Sequence, residues 1–164
     1  MLKNLSIRTK LLLLLLLPIL GLLFFSGKEV LNKYGTLQSL RLTERLVGLS
    51  VRTGAVVHEL QKERGASAGF IGAKGGAFAS PLDAQRRETD AAIGRLRDTL
   101  AAFDAKAYGA DFVRRLEAQR SRLGELAGVR TKVSDFSMPM GEMAGWYTTT
   151  IGGLLDVIGT MGTL

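Results

Sequence analysis

The chain has no cysteine. Disulfides, thiol nucleophiles, iron–sulfur clusters and cysteine-ligated zinc are therefore excluded. It has a single histidine, His58, which argues against a His-rich metal site or a Ser-His-Asp triad. Only three prolines interrupt the 164 residues, a spacing that suits long helices. What is there is apolar and basic. Hydrophobic residues make up 46%, enough to bury a core and to exclude disorder throughout. Lys and Arg number 22 against 15 Asp and Glu, a net charge of +7, and glycine is frequent at 20. No metal or cofactor is expected. We find neither a nucleophile–base pair nor a metal cluster, so the chain does not read as an enzyme. Binding, sensing and scaffolding remain.

Leu11 to Phe25 is an apolar run broken only by the small Gly21, with Pro18 inside it and seven consecutive leucines at its start. With Ser26 and Gly27 the segment has 17 residues, about 25 Å of helix and near the lower limit for a membrane span. Lys3, Arg8 and Lys10 precede it, and positive flanks stay in the cytoplasm. The expected organisation is a cytoplasmic N-terminus over residues 1–10, a transmembrane anchor over 11–27 and a domain outside the cytoplasm over 28–164. The protein would then sit in the cytoplasmic (inner) membrane with its domain in the periplasm. A cleaved signal peptide is the competing reading, but the rings of Phe24 and Phe25 crowd any cleavage site beside Ser26 and Gly27. Three basic residues precede the anchor, so the exported part carries 19 basic and 15 acidic residues. That mild bias does not resemble a nucleic-acid-binding surface.

Apolar residues then recur at spacings of three and four. They include Val57, Leu60 and Ile71; Leu82, Ile93, Leu96, Leu100 and Phe103; Phe112, Leu116, Leu123, Leu126 and Val133; and Met143, Tyr147, Leu154, Val157 and Met161. The pattern predicts a first helix from Thr36 to Ile71, continuous with the anchor. A loop follows over Gly72 to Ala79. A second helix, capped by Ser80 with Pro81 at its first position, runs to Asp104. A third runs from a cap at Asp111 to Val133. A fourth starts near Gly141, beyond the break at Met138-Pro139. Short turns between such helices favour an antiparallel four-helix bundle, so the fold class is all-α. Trp146 and Tyr147 are expected in the core, and His58 at an exposed or capped position.

Three arginines interrupt the stripes. Arg64 lies between Leu60 and Ile71, Arg86 between Leu82 and Ile93, and Arg130 between Leu126 and Val133, so each is expected to point inward. A buried guanidinium needs an anion or acceptors, because it does not readily lose its proton. Arg86 has Asp83 and Asp90 within one turn, whereas Arg64 and Arg130 have no acid there. Either carboxylates on other helices, such as Glu142 or Asp156, match them, or a small anion does. In the second case Ser67, Thr89 or Gln61 would add neutral donors. The small residues Gly65-Ala66-Ser67-Ala68-Gly69 would allow close helix packing beside Arg64.

His58 to Phe70, HELQKERGASAGF, resembles the signature helix of the nitrate- and nitrite-sensing (NIT) domain family. The resemblance continues through Gln85-Arg86 with Thr89-Asp90, Arg130 with Val133, and Tyr147-Thr148 followed by Leu154 to Ile158, and it covers Leu46 to Ile158. It implies an all-helical sensor of nitrate or nitrite. Such domains occur in chemotaxis receptors, sensor kinases, cyclase or phosphodiesterase regulators and antitermination regulators. Arg64 matches the family arginine proposed to contact the anion, and Arg86 and Arg130 match recurrent family arginines. The expected anion-binding set is thus Arg64, Arg130, Arg86, Ser67 and Gln61. By analogy the chain is a homodimer. The family domain continues into a second set of helices, whereas this chain ends at Leu164 within the predicted fourth helix. It therefore resembles the N-terminal part of a receptor, such as a methyl-accepting chemotaxis protein, or a truncated member. The reading from another class is a ligand-free, membrane-tethered helical adaptor that pairs with a partner bundle.

Overall fold

A computed structural model describes residues 7–163, apart from the side chains of residues 9, 10, 12–14, 17 and 30–42. It is all-α, with no strand among the described residues. The helices are α1 (Ile7–Gly72), α2 (Ala79–Ala101), α3 (Ala110–Gly124), α4 (Leu126–Ser134) and α5 (Met140–Met161), with short 3-10 turns at Gly76–Phe78 and Ala105–Tyr108. The chain divides into two units, residues 1–44 and 45–164.

In the first unit Leu15, Leu16, Ile19, Leu20, Leu22 and Leu23 are all exposed. With Leu11, Phe24 and Phe25, which are exposed as well, they spread around most of the helix. Among the described residues, however, no helix is long and apolar enough to cross a membrane. The expected span over 11–27 therefore gains no support from them. Leu12, Leu13, Leu14 and Leu17, which make that run continuous, lie outside the described side chains, as do Lys3 and Lys10.

In the second unit, contacts between helices fix the topology. Glu59 of α1 faces Gln85 of α2, and Arg86 of α2 faces Ser134 of α4. Arg122 of α3 faces Thr150 of α5, and Glu63 of α1 faces Tyr147 of α5. Each successive rod thus runs antiparallel to the one before, with α3 and α4 acting as one rod. The predicted stripes supply the core: Leu60, Leu82, Phe112, Val133, Met143 and Tyr147 are buried, as are Leu154 and Val157. Apolar burial of this kind is worth roughly 1.5–3 kcal/mol per large side chain.

Three boundary expectations change. The third helix is broken at Glu125, next to Gly124, a weak helix former. There Glu125 Oε2 accepts from Trp146 Nε1 at 3.1 Å and from Arg122 Nη1 at 2.9 Å. Ser80 is not the cap of α2, which starts at Ala79 with no side-chain cap bond from Phe78. Asp111 lies inside the first turn of α3 and holds Arg115 Nε at 2.7 Å instead of capping.

Both α1 and α4 end in the same device. After α1, Gly75 N donates to Phe70 O at 2.9 Å and Lys74 N to Ile71 O at 3.1 Å. After α4, Ser137 N donates to Lys132 O at 2.9 Å and Phe136 N to Val133 O at 3.2 Å. These are Schellman motifs, which need a left-handed residue. Lys74 (φ 49°) and Phe136 (φ 56°) fill that role, although neither is glycine. For Phe136 the compensation is visible: its ring stacks on Phe70 with centroids 5.1 Å apart and planes 8° from parallel.

Candidate functional site

The polar centre of the bundle is built on Glu63, which is 0% exposed. It follows Leu60 by three residues and precedes Ser67 by four, so it lies on the core stripe, and Arg64 lies a further 100° round the helix. Arg130 of α4 grips it with two hydrogen bonds, Nε to Oε1 and Nη2 to Oε2, both 2.8 Å. Tyr147 of α5 donates its hydroxyl to Oε1 at 2.8 Å. Arg130 Nη1 also reaches Asp90 of α2 at 2.6 Å. One carboxylate thus ties three rods together, and one guanidinium joins the fourth.

Electrostatics follow from this packing. Burial would raise the Glu63 carboxyl's pKa, but the hydrogen bonds and charge of Arg130, the neighbouring Thr89 hydroxyl and the hydrogen bond from Tyr147 outweigh it and hold it below the usual carboxylate value. Burial also opposes the charge on Arg130, yet the bonds and charges of Glu63 and Asp90 raise its pKa. Burial and the adjacent Glu63 charge push the Tyr147 phenol up.

Arg130 points inward as expected, and of the two kinds of partner left open for it, acids on other helices are the ones present. They lie on α1 and α2, not at the suggested Glu142 or Asp156. Sequence spacing failed here because a neighbour 67 positions away is invisible to a one-turn search. Glu63 itself was missed because its neighbour Arg64 was placed on the stripe in its stead.

Arg86 also turns inward. Its Nη1 donates to Ser134 Oγ at 3.0 Å and its Nη2 to Arg130 O at 3.1 Å, while Arg130 Nη2 donates back to Arg86 O at 3.2 Å. Asp83 stands 4.0 Å away, and the buried Nε has no hydrogen-bond partner. Arg86 and Arg130 are thus brought together, each reading the other's backbone.

Arg64 is half-buried at the rim instead of in the interior. Its Nη1 donates to Thr148 Oγ1 of α5 at 3.0 Å, and among the described residues no carboxylate pairs with it. Gln61, one turn earlier, is exposed, as are Gly65 and Thr148. Ser67 is fully buried and its Oγ makes no hydrogen bond, although it lies close enough to the Tyr147 hydroxyl to favour that group's ionised form. Ser67 therefore lies beneath the Arg64 face and not on it. Of the two glycines in the small-residue stretch, Gly69 is closely approached, since a Cβ there would meet the Phe78 ring at 2.6 Å, whereas Gly65 has open space. His58 is exposed and Trp146 and Tyr147 are buried.

This four-rod bundle, with its paired arginines and the open Arg64 turn, coincides with a known sequence family. Residues 55–164 match the family model described as NIT, nitrate and nitrite sensing. The chain belongs to the NIT family. Among solved structures, the chain is similar to one described as the NasR transcription antiterminator, with 27% identity and a TM-score of 0.72. That match covers 77% of this chain and 34% of the other, so the chain spans about a third of the structure it resembles. No curated protein matches. The NIT family is one of sensing domains, not of catalysts.

Proposed function

We propose that this NIT domain senses nitrate or nitrite through Arg64, on the open face shared by α1 and α5. The observation that carries the reading is the state of its charge. Arg130 and Arg86 have acids within reach, whereas Arg64 has a single neutral hydroxyl partner. Its remaining N–H groups form a planar fork that suits a planar oxyanion. Gln61 stands one turn away on the same side. Arg86, Arg130 and Ser67 then serve as the frame on which Arg64 is mounted. Binding can shift the bundle only by favouring one arrangement over another. The contact between α1 and α5 is where that preference acts, and sliding of α1 is the output.

The test is calorimetry on the full chain in detergent, with sodium nitrate and sodium nitrite titrated against sodium chloride. Saturable heat with nitrate or nitrite, lost in Arg64→Ala, is expected. Heat no different from chloride, or undiminished affinity in Arg64→Ala, overturns the assignment.

The finer setting is a membrane-anchored, receptor-type protein with the bundle outside the cytoplasm, acting with a second copy of itself. The apolar run of the sequence from Leu11 to Phe25 supports anchoring, because water disfavours such a surface. Retention of the full chain in membranes after alkaline carbonate extraction is expected. Its release into the supernatant contradicts the anchor. Cross-linking in those membranes should trap a dimer, and a purely monomeric band contradicts the pairing.

A further inference from the structure

The contact between Arg64 and Thr148 sits directly beside the buried contact between Glu63 and Tyr147. Consecutive residues on α1 meet consecutive residues on α5, at 2.8 Å inside and 3.0 Å at the rim. The inner bond sets the register of the two helices, and the outer one falls into place because of it.

The chemistry of Thr148 limits what its oxygen can do. Its hydroxyl donates to Ala144 O, one turn back, at 2.7 Å. A hydroxyl has one proton and two lone pairs, so with the proton committed this oxygen only accepts. It takes one N–H of Arg64 and leaves the others free. Unlike Arg86, Arg115, Arg120, Arg122 and Arg130, each with a carboxylate within 4.0 Å, Arg64 is held without being neutralised.

We infer that Thr148 is a positioning residue for the anion site: its back-bonded hydroxyl pins one edge of the Arg64 guanidinium, with its charge intact, so that the other edge faces an incoming oxyanion. This rests on the reading of Arg64 as the anion contact and adds what fixes its geometry. An unpinned guanidinium loses more side-chain entropy on binding. A carboxylate in place of the hydroxyl would pin it equally well but supply an internal competitor.

Three variants of the full chain separate these effects. Thr148→Ser keeps the acceptor and the back-bond, and nitrate affinity should stay within about twofold of wild type. Thr148→Val keeps the shape and loses the oxygen, and affinity should fall roughly fivefold with the melting temperature unchanged. Thr148→Asp should abolish nitrate binding without lowering the melting temperature. Equal affinity in the Val variant and wild type, or undiminished binding in the Asp variant, overturns the inference.

A ligand-free readout keeps this test apart from that of the function. The Arg64 Nε–H resonance, assigned by its loss in Arg64→Lys, should report slower guanidinium rotation in wild type and Thr148→Ser than in Thr148→Val. Equal rotation in all three overturns the pinning whatever the protein binds. Slow rotation in a wild-type protein that ignores nitrate and nitrite upholds the pinning and removes the function instead.

Discussion

Glu63 and Arg130, 67 positions apart in the chain, meet as a two-pronged ion pair inside the bundle. The pair is nearly closed to water: the Glu63 side chain is 0% and that of Arg130 15% exposed. Such a pair contributes less as a pair than its loss costs as a broken one, because removing one partner strands the other charge.

Arg130→Met should therefore destabilise the protein by about 3 kcal/mol. Glu63→Leu alone should cost about as much, while the double variant should cost clearly less than the two together. Urea unfolding of the four proteins measures this, and strict additivity would show that the two charges do not depend on each other.

Stability should fall in acid through Glu63. Its folded-state pKa lies below the unfolded value, near 4.5. Its contribution is therefore fully present above that pH and is lost as pH falls through the lower folded value. Glu63→Gln should flatten that limb of the stability curve below about pH 4.5, read from urea midpoints. Tyr147 acts at the other end. Its folded pKa is raised above 10.0, so its contribution is present below that value and lost as pH rises beyond it. Tyr147→Phe should remove that alkaline loss at a cost of about 1–2 kcal/mol near neutrality.

Phe136 pits a strained backbone against a good ring contact. Phe136→Ala keeps the left-handed cost and loses the stack, whereas Phe136→Gly loses the stack but is also relieved of the left-handed cost. The glycine variant should be more stable than the alanine one by about 1 kcal/mol. Thermal unfolding of the two decides it, and the reverse order would mean that the turn is not held left-handed.

The two glycines flanking Ala66-Ser67-Ala68 should respond oppositely to alanine. Gly65 is helical with open space around it, so Gly65→Ala should stabilise by about 0.5–1 kcal/mol. Gly69→Ala drives a methyl into the Phe78 ring and should destabilise. Melting temperatures of the two variants, shifted in opposite directions, are the expected result.

Much of the bundle was legible in the sequence because apolar periodicity is a local signal. Leu60, Leu82, Phe112, Met143 and Leu154 each fell where the rhythm placed them. Boundaries were less so: at the break the Glu125 carboxylate accepts from Trp146 on α5, a contact that no one-dimensional pattern records. The arginines divide in the same way. Arg86 and Arg130 turn inward as spacing implies, yet Arg64 sits at the rim and Glu63 takes the core position beside it. A one-residue shift on a helix is a rotation of only 100°, small enough for the stripe to accommodate either neighbour. Thr148 and the Glu63–Tyr147 contact were out of reach, because the partners are 84 residues apart.

Glu63 also imposes an order of assembly. During synthesis its carboxylate emerges long before Arg130 and Tyr147 exist, and it must stay hydrated until both have left the ribosome. The first rod cannot settle into a dry interior early, so the centre closes only once α5 has joined it.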